Sequence, residues 1–158
     1  MDKPHSVAVT FGRFNLLHVG HLDLFRQMAG QANRVIIGVS SAPANLPIQA
    51  RVEIIAKALE PYEMDVEIKD GHQPFEVFAL CPKDTIVYLG EDQVKLARAV
   101  TNTLGFEHQV IERLASSTQI RQLIDAEEWD LLAKIVPGNV IRDVINMHLF
   151  KATRNAEV

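Results

Sequence analysis

Val7-Ala8-Val9-Thr10-Phe11-Gly12-Arg13-Phe14-Asn15-Leu16-Leu17-His18-Val19-Gly20-His21 begins as an apolar, β-branched run and stops at a glycine. A short turn follows, and two histidines then open an amphipathic segment. A helix from Val19 onward places His18 at its first position or just before it. His21 lies three residues on, so both imidazoles face the same way. Helix N-termini expose unpaired N–H groups and a partial positive charge, which suits phosphate. Gly12 and Gly20 allow close backbone approach or a positive φ where a side chain would block a ligand. Surface histidines are commonplace, but here strand, glycine turn, paired histidines and helix agree with one another.

Outward from this stretch, helical spacing continues through Leu22, Leu24, Phe25, Met28 and Ala29 and closes at Gly30. Arg34–Ser40 is a second buried strand, and 41–47 is a loop rich in Ser, Pro and Asn. Ile48–Glu60 is a helix stopped by Pro61, and Met64–Asp70 alternates as an edge strand does. A turn at Gly71-His72-Gln73-Pro74 leads to a short apolar segment, Phe75–Leu80. Asp84–Gly90 is a fourth strand, Asp92–Leu104 a helix, and Phe106–Ile111 a weaker fifth strand. From Ser116 the chain is a helical C-terminal tail, with Trp129 expected in its core and a polar, frayed end over 151–158. Ser116 and Gln119 fit the S-x-x-Q capping box that starts a helix.

Strands alternating with helices imply βαβ units and right-handed crossovers, hence a doubly wound α/β parallel sheet. Ligands in such sheets lie beyond the carboxyl ends of the strands, where strand order reverses. Gly12 and Gly90 end strands one and four at such a place.

The 158 residues are most simply one domain, 1–158. Its 47% hydrophobic and 23% charged content is that of a soluble globular protein. A formal net charge of −4 argues against a nucleic-acid partner but leaves room for a small anion held by a few local cations. Cys81 stands alone, next to Pro82 and after an apolar run, so it reads as packing and points to a cytoplasmic location. No apolar run is long enough to span a membrane. His5, His72, His108 and His148 show no metal-ligand spacing.

Gly12-Arg13-Phe14-Asn15 followed by His18-Val19-Gly20-His21 resembles the HxGH signature of the nucleotidyltransferase superfamily. Ser116-Ser117-Thr118-Gln119-Ile120-Arg121 is similar to that superfamily's second, phosphate-binding motif, S-[ST]-T-x-I-[RK]. The resemblance spans nearly the whole chain and implies a five-stranded Rossmann-like sheet in the order 3-2-1-4-5. It also implies a catalytic set of His18, His21, Arg13 and Arg121. Nucleotide-binding positions carried over are Gly12, Phe14, Gly20, Gly90, Asp92, Ser116, Ser117 and Thr118. Ser40 and Arg51 match the substrate side, with a solvated helix charge as the plainer reading of Arg51. A Mg²⁺ ion would come with the triphosphate, held mainly by phosphate oxygens and water. Related enzymes are commonly homo-oligomers.

The features divide between branches. Gly12-Arg13-Phe14, Ile36-Ile37-Gly38, Arg51 and Ser117-Thr118-Gln119-Ile120-Arg121 are similar to the short nicotinamide mononucleotide adenylyltransferases. Thr10-Phe11-Gly12 with Asn15-Leu16-Leu17-His18 resembles the cytidylyltransferases, yet Ile111-Glu112-Arg113-Leu114-Ala115 departs from their R-T-x-G-I. The Leu16-Leu17 pair departs from the proline of the adenylyltransferases. The resemblance thus implies ATP, or CTP, and a small phosphorylated acceptor such as nicotinamide mononucleotide, phosphopantetheine or glycerol phosphate. A regulatory protein keeping the pocket without turnover would bind nucleotide and release no pyrophosphate.

Overall fold

The computed structural model describes residues 3–41, 47–71, 73–112 and 116–156. The chain runs β1 (His5–Gly12), α1 (Val19–Gln31), β2 (Ala32–Ser40), α2 (Ile48–Leu59), β3 (Val66–Gly71), α3 (Pro74–Phe78) and β4 (Thr85–Gly90). A 3₁₀ turn, Glu91–Gln93, precedes α4 (Val94–Leu104), β5 (Glu107–Ile111), α5 (Ser117–Asp125), α6 (Trp129–Ile135) and α7 (Ile141–Ala156). The strands form one parallel sheet in the order β3-β2-β1-β4-β5, as the resemblance implied.

The period-2 alternation of each strand sorts its side chains between two layers. Ala8, Val35, Ile37, Val39, Ile86 and Tyr88 pack with α1, α2 and the C-terminal helices. Val7, Val9, Phe11, Ile36, Val87 and Leu89 pack with α3 and α4. Crossovers from β1 to β3 therefore use one face, and those from β3 to β5 the other. With right-handed crossovers this change of face is what reverses the strand order between β1 and β4. Phe25 and Met28 of α1 are fully buried against the sheet. Each contributes about 2 kcal/mol through apolar area removed from water.

Three details differ from the pattern read in sequence. Helix α1 passes through Gly30 and hands over directly to β2, with Ala32 as its C-cap. Trp129 opens α6 and is 45% exposed, while Leu132 and Val136 of the same apolar stripe are buried. Helix α7 continues to Ala156, past the Lys151 at which a frayed end was expected. The 42–46 part of the expected loop and His72 lie outside the described residues. Among the described residues no helix is long and apolar enough to cross a membrane.

Candidate active site

At the carboxyl end of β1 the chain must reverse within a few residues to enter α1. Phe14 makes that turn with φ +50°, while Gly12 and Gly20 keep negative φ. The left-handed position expected of a glycine is thus held by an aromatic residue. Burial accounts for it: Phe14 is 8% exposed and packs edge-on to His21 at 5.1 Å and tilted against Phe25 at 5.6 Å. Gly12 serves by close approach instead, since a Cβ there would stand 3.2 Å from the Phe14 ring. Leu16 and Leu17, read as a departure from the adenylyltransferase turn, are core residues that anchor it.

His18 is the N-cap of α1, in extended conformation and 6% exposed. Its Nδ1 accepts the Gly20 N–H at 3.1 Å, and the His18 N–H donates to Nδ1 of His21 at 3.3 Å. The two rings stack at 3.8 Å, 18° from parallel. This is a capping box built from imidazoles instead of a serine and a glutamate. A neutral imidazole that accepts at Nδ1 carries its proton on Nε2, so the caps set both tautomers as Nε2–H donors.

Helix α5 starts in the same extended cap geometry, at Ser116. Its Oγ accepts the Gln119 N–H at 3.1 Å, the serine half of the expected box. Ser117 and Thr118 follow in the first turn, where backbone N–H groups precede the intrahelical ladder.

Both helix starts line one crevice of about 300 Å³ between the ends of β1 and β4. Gly12, Arg13, Phe14, His18, Gly20, His21, Gly90, Ser116, Ser117 and Thr118 all line it. Thr10, Gln93, Ile111 and Glu112 line it too and were not singled out as site residues; the available signal was their place near the carboxyl ends of strands, Thr10 and Ile111 within β1 and β5 and Gln93 and Glu112 beyond β4 and β5. Arg121, one turn into α5, is half-buried and outside the crevice wall. Asp92 falls in the 3₁₀ turn, and its side chain lies outside the described residues.

Arg51 is no solvated helix charge. It is 2% exposed, and its Nη1 donates to the carbonyls of Arg13 at 2.8 Å and Ser40 at 2.9 Å. Burial, and then the nearby Arg13 charge, lower its pKa from the ordinary guanidinium value. The residue joins the end of β2 to the turn after β1, and its buried Nε has no hydrogen-bond partner. Ser40 is buried beside it and supplies a backbone carbonyl to the brace.

Other titratable groups serve packing. Burial pushes the Cys81 thiol up, and its Sγ lies 3.6 Å from the Val77 carbonyl, so it is a poor thiolate source. His5 sits between Asp84 and Glu107, each at 3.4 Å, and His148 pairs with Asp125 at 2.7 Å. Among the described residues no cluster of His, Cys, Asp or Glu could hold a metal ion.

A family model described as cytidylyltransferase-like matches residues 9–123. A nicotinamide-nucleotide adenylyltransferase of Methanococcus maripaludis is 27% identical over 150 residues, 85% of this chain and 86% of the relative. The nicotinic acid mononucleotide adenylyltransferase of Plasmodium falciparum, solved with NaAD, superposes with a TM-score of 0.64 at 11% identity. The match covers 94% of this chain and 98% of that one. A bifunctional NMN adenylyltransferase/ADP ribose pyrophosphatase of Francisella tularensis, solved with AMP and a manganese ion, gives 0.69 at 15% identity. It covers 97% of this chain and 53% of that one.

Proposed function

We propose a reaction from one premise: the chain belongs to the cytidylyltransferase-like family. It is an adenylyltransferase that moves AMP from ATP to a small phosphorylated acceptor, nicotinamide mononucleotide by preference, in the cytosol. The observation that carries this reading is the single crevice lined by the imidazole start of α1 and the hydroxyl start of α5. The names of the relatives favour adenylyl over cytidylyl transfer.

An acceptor phosphate oxygen attacks the α-phosphorus in line. The new O–P bond forms as the bond to the β-phosphate oxygen breaks, and pyrophosphate leaves with that electron pair. Such transfers need positioning and charge stabilisation more than covalent help. The Nε2–H groups of His18 and His21, with Arg13, meet the charge that grows on the bridging and leaving oxygens. Ser116, Ser117 and Thr118 hold the distal phosphates at the α5 start, and Arg121 adds a cation one turn behind them. Arg51, with its unpartnered Nε beside the Arg13 turn, supports the acceptor side. Magnesium enters as part of the substrate, MgATP, held by phosphate oxygens and water.

The test is pyrophosphate release from ATP or CTP with nicotinamide mononucleotide, phosphopantetheine or glycerol 3-phosphate, in Mg²⁺. Release with ATP and nicotinamide mononucleotide alone is expected. Release only with CTP and an alcohol phosphate overturns the base and acceptor. Nucleotide binding with no pyrophosphate from any pair makes the protein a nucleotide-responsive regulator.

A further inference from the structure

We propose that Glu112 reads the base of the bound nucleotide by accepting a hydrogen bond from its exocyclic amino group. This rests on the reading of the crevice as a nucleotide site. The lining divides by strand order. Arg13 and the two imidazoles follow β1, while on the β4–β5 side stand Gly90, the last residue of β4, with Gln93 beyond it, and Ile111, the last residue of β5, with Glu112 beyond it; the α5 start lines the crevice as well. A polyphosphate takes the cationic β1 side and the helix N-termini, because a carboxylate within a few ångströms repels it. The nucleoside is left against the β4–β5 side.

There Glu112 is an exposed carboxylate, which can accept hydrogen bonds and cannot donate them. The group set against it must donate. Adenine at N6 and cytosine at N4 present an amino group; hypoxanthine and uracil present a carbonyl lone pair at the same position. Ile111, half-buried beside it, offers apolar surface for the ring, and Gln93 can donate to a ring nitrogen. The carboxylate thus favours the amino base of each such pair. Ile111-Glu112 begins the stretch where this chain departs from the cytidylyltransferase R-T-x-G-I, so the selection is a property of this sequence.

The test is equilibrium binding of ATP, ITP, CTP, UTP and 2′-deoxy-ATP with Mg²⁺ to the full chain and to Glu112→Gln and Glu112→Ala. The wild type is expected to bind ATP about tenfold to a hundredfold more tightly than ITP, the range for a charged hydrogen bond partly open to water. CTP should exceed UTP in the same sense. Glu112→Gln, whose amide can accept or donate, should bring both ratios close to one while thermal stability stays unchanged. Equal binding of ATP and ITP to the wild type overturns the proposal. So does a ratio that survives both substitutions, or a loss that follows the 2′-hydroxyl in place of the amino group. Failure of the parent reading looks different: the wild type then binds no triphosphate at all, or binds with the stated preference yet releases no pyrophosphate. The former overturns both readings, and the latter upholds base selection alone.

Discussion

The two helix starts in the crevice solve one problem with different chemistry. At α5 a serine hydroxyl satisfies one backbone N–H, and the next two residues add hydroxyls. At α1 the capping atoms belong to the imidazoles themselves, which are stacked, largely buried and set in one tautomer by the backbone they cap. Ahead of α1 the turn is held from two sides, by Phe14 packed on His21 and by Arg51 on the Arg13 carbonyl. The α1 start is therefore preorganised by its own core, which suits charge that appears only in the transition state. The α5 start, capped by a hydroxyl, suits ground-state binding of phosphate.

The sharpest way to break this contrast is at the histidines. His18→Ala and His21→Ala should each lower kcat about 10²- to 10³-fold, the loss of one donor to developing charge being on the order of 3 kcal/mol. His18→Asn separates the two duties of the residue. Asparagine is among the best N-caps, so it should recover the roughly 1 kcal/mol of stability that alanine forfeits while leaving kcat low. Recovery of kcat in His18→Asn would mean that His18 only caps.

Next in size is the brace. Arg51→Met removes the guanidinium that donates to both the Arg13 and Ser40 carbonyls, offset in part by relief of its burial beside Arg13. A stability loss of about 2 kcal/mol is expected, read by denaturant unfolding, with kcat falling more than ATP affinity. An unchanged kcat would show that the α1 start keeps its geometry without the brace.

On the α5 side the expected signature is reversed. Arg121→Ala should raise the KM for ATP about tenfold with little change in kcat, because a cation one turn behind the phosphates acts in the ground state as much as in the transition state. A fall in kcat with KM intact would place both helix starts in the same role.

What the sequence made legible follows from which interactions are local. The strands, and the starts of α1 and α5, could be read because β-branched runs, glycine stops and capping residues act over a few positions. The strand order came from resemblance, since periodicity carries no information on which strands pair. Arg51 sits in Gln49-Ala50-Arg51-Val52-Glu53, a pattern that looks solvated; its burial is decided by chain 11 and 38 residues away. Trp129 matched the apolar spacing of α6, but as the first residue of that helix it follows a left-handed turn and faces outward. Phe14 hid for a related reason. Two nearby glycines are the obvious bearers of a left-handed φ, and only the packing of its ring reveals why an aromatic takes it.

The smallest effect concerns the far end of α5 and asks whether the two ends of that helix are independent. The Glu128 N–H donates to the Leu123 carbonyl at 2.9 Å and the Glu127 N–H to that of Ile124 at 3.1 Å, the pair of bonds of a Schellman motif. Glu127 holds its left-handed position at φ +56°, where α4 uses Gly105 at φ +71°. An exposed non-glycine residue there carries roughly 1 kcal/mol of strain, and glycine would remove it at some cost in unfolded-chain entropy. Glu127→Gly should therefore stabilise by about 0.5 kcal/mol, a rise in Tm of about 1–2 °C, measurable by calorimetry. Helix ends interact with their surroundings within about one turn, so the KM for ATP should stay where it is. A change in KM that accompanies the gain in Tm would show strain reaching Ser116 through the helix, and the α5 start would then be tuned from its far end as the α1 start is from its core.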